Sequence, residues 1–283
     1  MDQATSVVEL RQYVNHWKDH DPSIAFIPTM GNLHARHISL IEKGQALCDR
    51  TICSIFVNPM QFGPNEDWDH YPRSLEADIE KLLVAGCDLV YLPTASELYP
   101  EGLDRISQVE VTDLTDDYEG KHRPGHFTGV ATVVLKLFNI VRPDVSVFGK
   151  KDYQQFRVIS KMVEDFNLDV QIIGQETTRE VSGLASSSRN QYLDATQLDT
   201  AAEIYRQLRA AATRIEQGER DYPALEKAAI EQLDGAGFKT DYFVVCNAET
   251  LRPASAEDRD LVILVTAAMG ATRLLDNIEI SLW

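Results

Sequence analysis

The chain has 283 residues, 44% of them apolar, and a formal net charge of -17. That charge excludes unspecific binding to nucleic acid or to an anionic membrane, both of which need clustered Lys and Arg. The longest apolar run, 261–265, is far too short to cross a bilayer, and the first residues lack the basic start and apolar core of a signal peptide.

The four cysteines (Cys48, Cys53, Cys87, Cys246) show no C-x-x-C spacing and read as buried, reduced thiols of a cytoplasmic protein. The length suits one large and one smaller domain. Periodicity at 6–16 predicts a leading helix, and 24–27 a first strand ending at Pro28. A turn with Gly31 follows, then an amphipathic helix to about residue 47 that carries His34 and His37 in its first turn. At that spacing the two imidazoles share a face, where free N–H groups and the helix dipole favour an anion such as phosphate. A zinc site would need spacing four and an acid, as in H-E-x-x-H, and neither is present.

The run 51–57 is rich in β-branched residues, as a strand covered on both faces requires. It ends in a loop with two amides, Asn58 and Gln61. Asn58 before Pro59 is an ordinary turn former, whereas Gln61 suits a substrate hydroxyl or carboxylate. Helix 75–85, strand 89–92, helix 128–141, strand 145–148, helix 152–166 and strand 170–173 follow. The loop 123–129 (R-P-G-H-F-T-G) enters a helix; its Gly125 and Gly129 read as structural, while Arg123 and His126 could face a pocket. At 148–155 (F-G-K-K-D-Y-Q-Q) Gly149 lets a ligand approach the backbone, and either Lys150 or Lys151, not both, can reach a phosphate. Alternating strands and helices predict an α/β fold, a Rossmann-like parallel sheet with helices on both faces and ligands at its carboxyl edge.

Past residue 190 the pattern changes to alanine-rich helices at 196–217 and 222–235 and strands at 241–245, 261–265 and 274–280. This predicts domains 1–177 and 178–283, the second a small α+β domain closing over the site, with a hinge at about 176–190. The Ser-rich loop 183–190 places hydroxyls and Arg189 at that junction, fit for a mobile clamp over a triphosphate. Lys121, Arg123, Lys136, Lys150, Lys151, Arg179 and Arg189 fall in or beside these segments, so an acidic shell is expected around a basic pocket.

Taken together, P-T-M-G-N-L-H-x-x-H (28–37), S-I-F-V-N-P-M-Q-F (54–62), Y-P-R (71–73), R-P-G-H-F-x-G-V-x-T-V-V-x-K-L-F-N (123–139), F-G-x-K-D-x-Q-Q (148–155) and S-S-R-N-x-Y-L (187–193) resemble the pantoate–β-alanine ligase (pantothenate synthetase) family of the class I nucleotidyltransferase superfamily. The resemblance runs from about 24 to 193 and weakly on to 277. It implies ATP-dependent joining of pantoate to β-alanine through a pantoyl adenylate, with AMP and pyrophosphate released, magnesium arriving on ATP, and a homodimer. It further implies that His34, His37 and Lys151 are catalytic. Met30, His37, Gly149, Lys151, Asp152, Ser187, Ser188 and Arg189 would bind ATP, and Met30, Asn58, Gln61 and Gln155 would bind pantoate.

Three positions depart from the family pattern. Arg36 stands where the signature H-x-G-H has glycine, and Ser182 and Ser186 replace an aspartate and a Met or Leu. The first raises one alternative, a nucleotide-binding homologue impaired in catalysis; the superfamily offers a second, a transferase moving a nucleotidyl group onto a phosphorylated alcohol. Gln61 and Gln155 count against the second, since a phosphorylated acceptor calls for cations there.

Overall fold

The computed structural model describes residues 1–18, 22–64, 66 and 68–283. Among them the chain order is β1 (Asp2–Ala4), α1 (Val7–Lys18), β2 (Ile24–Thr29), α2 (Ala35–Leu47), β3 (Arg50–Ile55), α3 (Leu75–Val84), β4 (Leu89–Tyr91), α4 (Ala95–Leu98), α5 (Glu119–His122), α6 (His126–Val141), β5 (Val145–Gly149), α7 (Tyr153–Asp165), β6 (Gln171–Gln175), α8 (Ala195–Ala201), α9 (Glu203–Glu216), α10 (Tyr222–Gly235), β7 (Lys239–Asn247), β8 (Asp260–Met269) and β9 (Thr272–Ser281). The chain forms two compact units, Met1–Lys150 with Gln155–Gln175, and Lys151–Gln154 with Glu176–Trp283.

The first unit holds a parallel sheet of order β1-β4-β3-β2-β5-β6. Side chains of a strand alternate between faces, and β2 shows the consequence. Ala25 and Ile27 enter one core with Leu40 and Ile41 of α2 and Leu82 of α3. Phe26 faces the other way, edge-on to Phe138 of α6 at 6.4 Å, and Phe138 meets Phe148 of β5 in the same manner. Both faces are therefore covered, which is why these strands read as unbroken apolar runs.

The edge strand β1 was not expected. Its three residues, Asp-Gln-Ala, carry no periodicity; they pair with β4, and Ala4 is buried. Two smaller differences concern β3, which ends at Ile55 short of the expected 57, and Cys48, which is half-buried while Cys53, Cys87 and Cys246 are buried.

In the second unit, β7, β8 and β9 form an antiparallel sheet. The helix expected over 196–217 is broken at Ala202 into α8 and α9. Leu208, Ile215, Leu225, Leu233, Phe243 and Ile263 pack its core. Lys151–Gln154 joins this unit through the Asn277 amide, which donates to the Lys151 carbonyl at 2.8 Å, and through the Tyr153 hydroxyl, which donates to the Ala248 carbonyl at 3.1 Å.

Candidate active site

In the first unit the chain winds from β2 through β3 to β4 in one direction, then places β5 and β6 on the other side of β2. The carboxyl ends of β2, β3 and β5 thus deliver three loops, 30–34, 56–62 and the one that begins at Lys150, to one edge at the switch point of the sheet, where open α/β sheets bind ligands.

The first loop is shaped by a buried carboxylate. Gly31 and Asn32 take successive left-handed conformations (φ +83° and +50°), which turns neighbouring N–H groups to one side. The Asn32 and Leu33 N–H groups donate to the two oxygens of Asp78 at 2.8 and 2.7 Å. Asp78 is fully buried on α3; Ser74 Oγ also donates to it, and Lys81 Nζ lies 3.9 Å away while donating to the Leu33 carbonyl. A side chain on residue 31 would meet Ile55 at 3.1 Å and the Asp78 carboxylate at 3.2 Å. The turn's N–H groups are thus taken up by the protein's own anion, Asp78.

At the start of α2 the structure corrects the register. His34 is the extended N-cap residue of α2, and only His37 lies in the first turn. The rings meet edge-on at 4.4 Å, and His34 N–H donates to His37 Nδ1 at 3.3 Å. Because His37 Nδ1 accepts that proton, the neutral ring carries its own hydrogen on Nε2.

The second loop fixes the direction of one amide. Burial pushes the Tyr99 phenol well up, so it stays a donor, and it donates to Asn58 Oδ1 at 2.8 Å; Met60 N–H donates to the same oxygen at 3.2 Å. Asn58 Nδ2 must then face the other way, and it donates to the Gly129 carbonyl (3.1 Å) and to Gln61 Oε1 (3.2 Å). With its oxygen accepting, Gln61 presents Nε2 beside the Met30 sulfur at 3.0 Å. A thioether is a weak acceptor, so Gln61 holds N–H capacity for a ligand next to an apolar methionine. Asn58, 1% exposed, has its amide engaged by the protein and orients Gln61.

The motif 123–129 lies directly beneath this loop. Arg123 makes a two-point pair with Glu66 (2.8 and 2.5 Å) and donates from Nη1 to His126 Nε2 at 3.1 Å. His126 Nδ1 donates to the Gln61 carbonyl at 2.9 Å. Burial first, and then the Arg123 charge, push this imidazole down to about 4, so it is neutral. A Cβ at Gly129 would fall 2.5 Å from the Met60 carbonyl oxygen, so only glycine lets α6 press against the turn.

At the third loop the adjacent lysines diverge. Lys150 crosses Gly174 of β6, where an added Cβ would sit 2.7 Å from its Cε. Arg36 Nε lies 3.9 Å from the Cβ position of Gly149, so the arginine lies along the backbone stretch that the glycine opens. Gln155 is half-buried on α7.

The second unit has a cleft lined by Lys151, Ser187, Arg189, Asn190, Arg273 and Asp276, among others. Lys151 is buried, and Asp152 beside it half-buried. Ser187 caps the 3-10 turn Ser188–Tyr192, accepting from Arg189 N–H at 3.3 Å. Asp276 accepts from both Nη atoms of Arg179 (2.5 and 3.0 Å), and burial still raises its carboxyl above the usual range. Arg179 also donates to the carbonyls of Gly183 and Asn277, both at 3.1 Å, and stacks on Tyr205 at 3.8 Å. Of the cations expected around a basic pocket, Arg123 and Arg179 are therefore paired internally, and Lys136 sits over the Tyr99 ring at 5.7 Å. Ser186 donates to Glu180 at 2.8 Å, a local tie that accounts for a hydroxyl there.

Asp78 and Tyr99 in the first unit, and the pair Asp276–Asn277 in the second, shape the loops of their own unit without having been singled out by sequence. Asp78 and Tyr99 act on loops more than forty residues distant in sequence, and their own surroundings carry no signal.

A family model described as Pantoate-beta-alanine ligase matches residues 2–279, well beyond the span over which motifs are visible by eye. The pantothenate synthetase of Pseudomonas fluorescens (strain Pf0-1) is 52% identical over 282 residues, covering 100% of this chain and 99% of that protein. The crystal structure of pantothenate synthetase from Thermus thermophilus superposes with a TM-score of 0.91 at 40% identity, covering 98% of this chain and 99% of that one. A pantoate-beta-alanine ligase from Francisella tularensis, complexed with beta-gamma ATP and beta-alanine, gives 0.81 at 34% identity, with 98% and 97% covered.

Proposed function

Because the chain belongs to the pantoate–β-alanine ligase family, we infer that the loops just described perform its reaction, the ATP-dependent joining of pantoate to β-alanine through a new C–N bond. The enzyme is a ligase. In our reading, a pantoate carboxylate oxygen attacks the α-phosphorus of ATP; the bond to the bridging oxygen breaks and pyrophosphate leaves. The β-alanine amine then attacks the carbonyl of the acyl adenylate, AMP departs with the former carboxylate oxygen, and the amine proton passes to solvent. No covalent enzyme intermediate is required, so catalysis is positioning plus stabilisation of charge on phosphate oxygens.

The first unit supplies His34 and His37 for the phosphates, and Gln61 and Gln155 for the pantoate hydroxyl and carboxylate. Met30 packs on the apolar body, and Asn58 acts through Gln61. Gly149 leaves room for the nucleotide, and Asp152, which belongs to the second unit, is assigned to the ribose. The second unit supplies Lys151, Ser187, Ser188 and Arg189 for the polyphosphate. The observation that carries this reading is the enforced direction of the Gln61 amide, a neutral donor beside a methionine, matched to a small hydroxy acid and not to a phosphorylated acceptor.

Magnesium belongs with ATP as co-substrate. Among the described residues no cluster of three or more His, Cys, Asp or Glu side chains could cage a metal, and Asp276 in the basic cleft is engaged by Arg179. That donor set fits an ion held chiefly by phosphate oxygens and water. The helices of the described residues include none long and apolar enough to cross a membrane. We place the enzyme in the cytoplasm, where burial keeps the Cys53 and Cys87 thiols protonated, and expect a homodimer, to be checked by light scattering.

The decisive experiment is AMP release by the purified chain with each substrate omitted in turn. Release that needs both pantoate and β-alanine, with pantoate-dependent exchange of pyrophosphate into ATP, is expected. Release that ignores pantoate would overturn the reading.

A further inference from the structure

We propose that His126, wired to Arg123 and Glu66, is a positioning residue for the pantoate site, holding the Gln61 main chain so that the Gln61 amide keeps its aim. The proposal rests on the assignment of Gln61 to pantoate.

The geometry leaves the imidazole one role. A guanidinium has only donors and a carbonyl only accepts. His126 lies between the two, so Nε2 accepts from Arg123 and Nδ1–H donates to the Gln61 carbonyl. Both ring nitrogens are engaged by the protein, which removes His126 as a proton carrier for the reaction. Arg123 is itself held by the two-point pair with Glu66, which sets the plane of the guanidinium, and its Nη2 lies 3.5 Å from the same Gln61 carbonyl. Without His126 the carbonyl, at the end of the three-residue turn Pro59–Gln61, would keep only that longer contact with Arg123, so the imidazole supplies its one short hydrogen bond.

α6 therefore grips the turn at both ends. The Gly129 carbonyl takes Asn58 Nδ2 at the start, His126 takes the Gln61 carbonyl at the finish, and the missing side chain of Gly129 permits the approach. Asn58 fixes which atom of the Gln61 amide faces Met30; His126 fixes where the amide is rooted.

The test uses the full chain and steady-state kinetics in all three substrates. His126→Leu removes the donor, and the KM for pantoate should rise about tenfold, the size of one lost hydrogen bond, while the KM for ATP stays within about twofold. His126→Asn places an amide N–H where Nδ1–H stood and should restore most of the pantoate KM. His126→Gln, whose donor reaches to the Nε2 position, should not. If His126→Leu fails to fold, the Asn and Gln variants still decide between the outcomes. Equal shifts for pantoate and ATP, an unmoved pantoate KM in His126→Leu, or no difference between Asn and Gln would sink the proposal. Gln61→Ala is the separate control: if it leaves the pantoate KM unchanged, the assignment of Gln61 itself fails, whatever His126 does.

Discussion

Arg36 is the residue at which this chain departs most from its family resemblance, and its position gives the departure a physical meaning. Its Nε lies 3.9 Å from the Cβ position of Gly149, the glycine proposed above to leave room for the nucleotide at the end of β5. On that proposal a bound nucleotide displaces or bends the arginine side chain. Arg36→Gly should therefore lower the KM for ATP by about threefold to tenfold, equivalent to about 0.7–1.4 kcal/mol, in a steady-state assay. A glycine in the first turn of α2 costs about 0.5–1 kcal/mol of helix stability, so a slightly lower Tm should accompany the gain. An ATP KM that is unchanged or higher would show that Arg36 does not obstruct the nucleotide. Asp78 makes the converse point. No motif pointed to it, because a lone carboxylate in Leu-Glu-Ala-Asp-Ile-Glu reads as part of a solvated helix face. Its importance lies in two N–H groups 45 and 46 residues away. Asp78→Ala takes the acceptor from a buried N–H group, that of Leu33, and from the part-buried one of Asn32. The cost should be about 2–5 kcal/mol by denaturant unfolding, with loss of activity because His34 follows the turn directly.

Among the elements, those with a strong period were legible and those made by pairing or packing were not. The apolar strands β2, β3 and β5 and the long helices α6 and α7 announce themselves because each buries a full face. β1 is made by pairing with β4, and the break between α8 and α9 interrupts an unbroken helical pattern. The helix of the histidines was visible but its start was not, since a residue with extended backbone at an N-cap looks the same in sequence as one in the first turn. In α6 the reading of Gly129 as structural survives with a sharper reason: the helix contacts backbone, not side chains, at that point. Gly129→Ala sets a methyl against the Met60 carbonyl and should destabilise by about 1–3 kcal/mol, since neither backbone can yield cheaply. Because the displaced turn carries Gln61, the pantoate KM should rise as well. A variant with normal stability and a normal pantoate KM would mean that α6 slides freely past the turn.

For the molecule as a whole, the division into two compact units decides how stability should be measured, because a single unfolding transition cannot be assumed. Tryptophan emission separates them. Trp17 and Trp68 belong to the first unit, whereas Trp283, in the second, is fully exposed and should change little. Emission-monitored denaturation thus follows the first unit, which contains the buried neutral His126. The groups facing this ring are Arg123, Glu66 and Glu119. With its pKa near 4 in the fold, against about 6.5 in the unfolded chain, the ring binds a proton only when unfolded throughout that interval. The associated stability is complete above pH 6.5, declines as the pH falls toward 4, and changes no further below. The total is roughly 3 kcal/mol. His126→Asn has no such proton to bind. Wild type should therefore lose stability relative to the variant steadily between pH 6.5 and pH 4. A gap that stays constant across that range would mean that the ring takes up its proton at the same pH folded as unfolded, and a ring protonated in the fold at pH 5 cannot accept from Arg123.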